Sequence, residues 1–115
     1  MKRVILTYGG YVERFMMTLN DKEQRKVDYI LGLMTTKDKI PTKFIKHLRD
    51  GLYELRISYS GNIYRVFFIF DDNSIVVLFN GFTKKSQRTP INEIEKALRI
   101  RDSYYADKRS PNQEL

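Results

Sequence analysis

The chain has 115 residues, with 21 Lys and Arg against 14 Asp and Glu and a formal net charge of +7. Its 42% hydrophobic and 13% aromatic content suits one domain with a single core and excludes a disordered chain. Cysteine is absent and His47 is the only histidine, which excludes disulfides, thiolate catalysis, cysteine zinc sites and a histidine metal cluster. No EF-hand or HExxH pattern occurs, so neither a metal nor a cofactor is expected. A basic surplus of this size points to a polyanionic partner: nucleic acid first, an acidic protein second, a membrane surface third.

The opening "MKRVILTYGG" predicts a strand over Lys2–Thr7 that ends at Gly9 and Gly10. It holds too short an apolar run for a signal peptide, and no run in the chain reaches membrane length, so the cytoplasm is the expected location. From Tyr11 to Leu19, Val12, Phe15, Met16 and Leu19 recur at helical spacing. "NDKE" (Asn20–Glu23) then reads as a cap with a glutamate three residues on, opening a second helix with Val27, Ile30, Leu31 and Met34 on its apolar stripe. The two form a helical hairpin with one buried face, and Met16, Met17 and Met34 read as core filler. Lys37–Lys43 is a polar connector broken by Pro41, and Phe44–Gly51, carrying Lys46, His47 and Arg49, reads as a single helical turn.

"LYELRIS" and "NIYRVFF" are two strands around a tight turn at Ser60, Gly61 and Asn62. With a two-residue loop, Arg56 and Arg65 share one face of the sheet; a three-residue bulged loop would break that parity. Each arginine either lies along an edge and pairs with Glu54, or the two flank an anion, since like charges facing across strands repel. Asp71–Ser74 is a second turn, with Asp71 and Asp72 read as turn formers, and Ile75–Asn80 a third strand. Gly81–Pro90 reads as a basic loop with Lys84, Lys85 and Arg88, closed by Thr89 and Pro90 as cap and first position of a helix that runs to Ala106. Residues 1–106 are thus expected to form one two-layer α+β domain, and residues 107–115 a flexible tail with nothing to bury.

Taken in this order, "GLYELR" (Gly51–Arg56), "YRVFF" (Tyr64–Phe68) and "GFTKKSQRTP" followed by "EIEKAL" (Glu93–Leu98) resemble the RelE/HigB superfamily of bacterial toxins, in its HigB-like and phage-derived Gp49-like branch. The resemblance implies an N-terminal strand, a helical hairpin, a mainly antiparallel sheet and a C-terminal helix. It implies a type II toxin that cuts mRNA in the ribosomal A site without a metal, and that is held inactive by a small antitoxin, acidic or helix-turn-helix, encoded beside it. The ribose 2′-hydroxyl attacks the adjacent phosphate in such enzymes, and fixed guanidinium groups stabilise the charge that grows on the phosphoryl oxygens. By position, Arg65 matches the phosphate-binding arginine of the "YR" motif, Arg56 a supporting basic position, and Lys84 and Lys85 the basic pair after the "GF" strand end. One of these lysines, its pKa lowered by neighbouring cations, serves as general base, or the pair stabilises the leaving group.

Lys46, Arg49 and Arg88 are RNA-facing cations on the same resemblance. His47 is a proton carrier on this reading, or else a partly buried helix-end histidine. The tyrosine that some relatives carry beyond the basic pair is missing from "SQRTPI", and Tyr104 and Tyr105 are the candidates to stand in for it, unless they only pack. Two other functions stay open: a ParE-like toxin that poisons gyrase through protein contacts, and a basic RNA-binding module without catalysis.

Overall fold

Residues 2–84 and 88–109 are described in the computed structural model. In chain order the elements are β1 (Val4–Thr7), α1 (Tyr11–Met16), α2 (Asp21–Thr36), β2 (Ile45–Arg49), β3 (Leu52–Tyr59), β4 (Asn62–Asp72), β5 (Ile75–Lys84) and α3 (Ile91–Arg109). The sheet order is β1-β5-β4-β3-β2; β1 runs parallel to β5 and the remaining neighbours are antiparallel.

Three tight turns join β2 to β5. Asp50 and Gly51 link β2 to β3, and Ser60 and Gly61 link β3 to β4; all four residues have positive φ, between 52° and 80°. That is the twist-compatible hairpin geometry in which a glycine at the second position relieves the strain. Between β4 and β5 the Asp72 carboxylate accepts from the Ser74 N–H at 2.7 Å, so Asp72 is a turn former as expected, whereas Asp71 is not: it lies within β4 and accepts from Tyr104 and Lys108 of α3.

Helix α2 opens with the capping box expected at Asn20 and Glu23: the Asn20 side chain accepts from the Glu23 N–H at 2.9 Å, and the Glu23 carboxylate accepts from the Asn20 N–H at 2.7 Å. Its C-terminal end is held by Arg3, whose guanidinium donates to the Met34 carbonyl in the last turn at 3.2 Å and to the Lys37 and Asp38 carbonyls just beyond the helix at 2.7 and 2.8 Å. Val12, Phe15, Val27, Ile30 and Met34 of the hairpin bury against Leu55, Ile57, Tyr64, Val66 and Phe68 on one face of the sheet. The α+β reading with a mainly antiparallel sheet holds, and α3 adds cover to the opposite face, where Ala97, Leu98 and Ile100 meet Phe67, Ile69, Val77 and Phe79.

Several local expectations are corrected. Phe44–Gly51 is not a helical turn: Ile45–Arg49 is an edge strand, because Asp50 and Gly51 fold it back onto β3. Gly81–Lys84 is not loop but the end of β5, paired with Ile63–Val66. Gly81 is needed there, since a β-carbon at this position would come within 2.5 Å of the Phe15 ring. Met17 is exposed and not core filler, because α1 stops at Met16 and a turn follows. Thr89 does not cap α3 and Pro90 is not its first residue: the helix starts at Ile91, and the Pro90 carbonyl just before it accepts from Glu93 at 3.1 Å and Ile94 at 3.3 Å. Asp107–Arg109, assigned to the tail, belong to α3, where Lys108 donates to Asp71 at 2.6 Å and the Tyr8 hydroxyl donates to Asp107. Residues 110–115 lie outside the described residues. Among the described residues no helix is long and apolar enough to cross a membrane.

Candidate functional site

The two-residue turn at Ser60 and Gly61 sets the register in which Arg56 of β3 and Arg65 of β4 stand directly opposite each other. Strand alternation then puts Glu54 on the same face, two residues before Arg56. The Glu54 carboxylate is 1% exposed, and its Oε1 lies 3.2 Å from Arg65 Nε and 3.7 Å from Arg56 Nε. Its Oε2 accepts from the Thr89 hydroxyl at the head of α3. The arginines share a face, as a two-residue loop implies, and both pair with Glu54, but on the inner strands β3 and β4 and not along an edge.

The pair is asymmetric. The Arg65 side chain is 8% exposed and that of Arg56 38%, so Arg56 is the outward member. Burial draws the Arg65 pKa below the ordinary arginine value and Glu54 opposes this; the group stays charged. Both buried Nε atoms touch Glu54 as ion pairs without a hydrogen-bond partner among the described residues. A carboxylate placed this way orients the guanidinium groups while leaving their terminal nitrogens for another anion. Among the described residues Arg65 Nη1 donates a long hydrogen bond to the Tyr64 carbonyl at 3.4 Å.

Two lysines join the cluster. Lys84, at the end of β5, is drawn below the ordinary lysine range by burial first and then by Arg65, with Arg56 and Lys46 adding and Glu54 opposing. Lys46 stands across from Glu54 on β2. Four cations (Lys46, Arg56, Arg65, Lys84) around one carboxylate leave a concentrated positive site on the face that α3 only partly covers.

Other expected site residues fall elsewhere. His47 is exposed on β2 and faces the helical-hairpin side, its ring 5.1 Å from that of Tyr53; it is apart from the arginine cluster and is not at a helix end. Alternation along an edge strand separates it from Lys46. Arg49 is exposed and lies 3.7 Å from Asp50 in the following turn. Arg88 is exposed in the segment that joins β5 to α3, and Lys85 lies outside the described residues. Tyr104 is a packing residue at the other end of the sheet: its ring meets Tyr8 and Phe79, its hydroxyl donates to Asp71 at 2.5 Å, and burial with this carboxylate raises its pKa. Asp71 is six residues along β4 from Arg65, about 20 Å at strand rise. Glu54 as the hub, and Thr89 as its second support, were missed as site residues. The Glu-x-Arg spacing in "ELR" was the available signal for Glu54, since it places both on one face; nothing local signals Thr89.

The five-stranded, mainly antiparallel sheet with a helical hairpin on one face and a C-terminal helix on the other is a RelE-like fold. The chain belongs to the phage-derived Gp49-like family (DUF891), whose model matches residues 14–102. The archaeal RelE–RelB complex from Pyrococcus horikoshii OT3 is a similar solved structure, with a TM-score of 0.50 and 14% identity, covering 77% of this chain and 100% of that chain. No curated protein matches the chain.

Proposed function

We propose that this chain is the toxin of a type II toxin–antitoxin pair and a ribosome-dependent endoribonuclease that cleaves mRNA in the cytoplasm. The observation that carries the reading is the cross-strand pair Arg56 and Arg65, locked on Glu54, with Lys84 and Lys46 beside it. The ribose 2′-oxygen attacks the neighbouring phosphorus and the bond from phosphorus to the 5′-oxygen breaks, giving a 2′,3′-cyclic phosphate and a 5′-hydroxyl. Arg65, supported by Arg56, binds the phosphoryl oxygens through the terminal nitrogens that Glu54 leaves available. These contacts are stronger in the dianionic transition state than in the ground state. Lys84, its ammonium already disfavoured, takes the 2′-hydroxyl proton, and a further group supplies a proton to the leaving oxygen.

The site offers few proton-transfer groups, which supports a role for the ribosome in holding the mRNA in line for attack. Free RNA is then a poor substrate. A small antitoxin protein, acidic or helix-turn-helix, is the partner that silences the toxin, a reading supported by the RelB-bound state of the similar archaeal structure.

The test is primer extension on a reporter mRNA in a translating extract, with wild-type protein, Arg65→Ala and a control without ribosomes. In-frame cuts that need both ribosomes and Arg65 are expected. Intact mRNA at concentrations that stop growth would overturn the nuclease reading and turn attention to gyrase.

A further inference from the structure

Strand β5 is longer than the strand that covers its outer edge. β1 pairs with it only from Ile75 to Leu78, whereas β5 continues to Lys84. The chain leaves the sheet at Gly9 and Gly10, both at positive φ, and enters α1. Among the described residues no strand pairs with that edge beyond Leu78. Alternate residues of an antiparallel strand send both N–H and C=O to the same side, so this edge carries backbone donors and acceptors that β4 does not use.

The edge is also enclosed. Asn80–Thr83 line a groove of about 400 Å³ with Tyr11, Arg14 and Phe15 of α1, Thr18 of the turn after it and Lys96 of α3. The Arg14 guanidinium lies 5.0 Å and the Lys96 ammonium 5.6 Å from the centre of the Tyr11 ring. Both side chains are exposed, and among the described residues neither forms an ion pair. Two cations thus converge on a slot floored by unpaired strand backbone.

We propose that this slot takes an extended acidic segment of a protein partner, added to β5 as a further strand in line beyond β1. An extended peptide supplies donors and acceptors in the alternation the edge requires, and its carboxylates meet Arg14 and Lys96. A nucleic-acid backbone meets the cations but has no regular row of donors for the edge carbonyls. Asn80–Thr83 spans about 13 Å, the reach of some four extended residues. Phe82 stands opposite Arg65 in the β4–β5 register, so the added strand lies two strand spacings, about 10 Å, from the arginine cluster. The surface is distinct from the cluster, and the inference does not depend on RNA cleavage.

Amide exchange of the 15N-labelled wild-type protein tests it, read at Asn80–Thr83 and without a cleavage assay. The probes are a short capped peptide of alternating Glu and Val, its Lys and Val counterpart, the Glu peptide N-methylated at alternate amides, and a short single-stranded RNA. The Glu peptide is expected to slow exchange at alternate residues of Asn80–Thr83 by about tenfold or more, and the N-methylated form to have no effect. Arg14→Glu combined with Lys96→Glu should transfer the preference to the Lys peptide. Less than twofold protection at about 1 mM Glu peptide, where a Kd of about 0.1 mM gives the tenfold slowing and one of about 1 mM gives twofold, overturns the proposal. So does protection indifferent to the charge reversal, or a response at these amides to RNA and not to peptide.

Discussion

Glu54 has two roles to separate, holding Arg65 in place and neutralising it. Glu54→Ala leaves a buried guanidinium without its carboxylate and should cost about 3 kcal/mol in urea unfolding. Adding Arg65→Ala should give a double variant less destabilised than the sum of the singles, because the two losses share one interaction. Arg65→Ala alone should lower ribosome-dependent cleavage about 100-fold or more, and Arg65→Lys should recover only part, since an ammonium keeps the charge and loses the fork. Lys84 predicts a pH dependence. Its pKa in the fold lies below the ordinary lysine value, so the neutral form gains with rising pH earlier than a free lysine would. Cleavage should therefore rise along a limb that lies below the usual lysine range of about 10.4, and Lys84→Arg should abolish that limb. A flat profile through this range would remove Lys84 as the base.

At the scale of elements, the hairpin β3–β4 and the capped helix α2 are local in origin, and both were legible. Ser60-Gly61 dictates a tight turn, and Asn20 with Glu23 a helix start, through contacts within four residues. Asn20→Ala should cost about 1 kcal/mol, seen as a lower urea midpoint. The strand β2 was misread because basic residues hide a period-2 pattern, although Asp50-Gly51 carried the hairpin signal. The continuation of β5 through Gly81 was misread for the opposite reason: glycine signals a turn locally, while here it admits the Phe15 ring. Gly81→Ala should displace α1 from the sheet and destabilise by about 1–3 kcal/mol, and pairing it with Phe15→Leu should relieve part of the clash in the same unfolding assay.

Across the whole molecule, α3 ties the far end of the sheet to its own last turn. Asp71 accepts from Lys108 and Tyr104, which hold its pKa below the ordinary aspartate value. A lowered folded pKa means that this stabilisation is present above the unfolded value of about 3.9 and disappears as pH falls through the folded one. Stability should therefore drop below about pH 4, and Asp71→Asn should flatten that drop while lowering stability at neutral pH, as read from urea midpoints across the acid range. The surplus charge acts at this scale too. With a net charge of +7, binding to ribosomes or RNA should weaken steeply as salt rises.

By itself the sequence determined the element types that arise from near neighbours and the α+β class, and tied the shared face of Arg56 and Arg65 to a two-residue loop, because periodicity and turn chemistry act over a few residues. Only the tertiary structure decided what those arginines face. Thr89 reaches Glu54 across 35 positions of chain, β5 brings Lys84 beside Arg65, and His47 and Tyr104 fall away from the site. Those distances depend on how strands stack into a sheet and which face α3 covers, and no local pattern encodes contacts between segments so far apart in the chain.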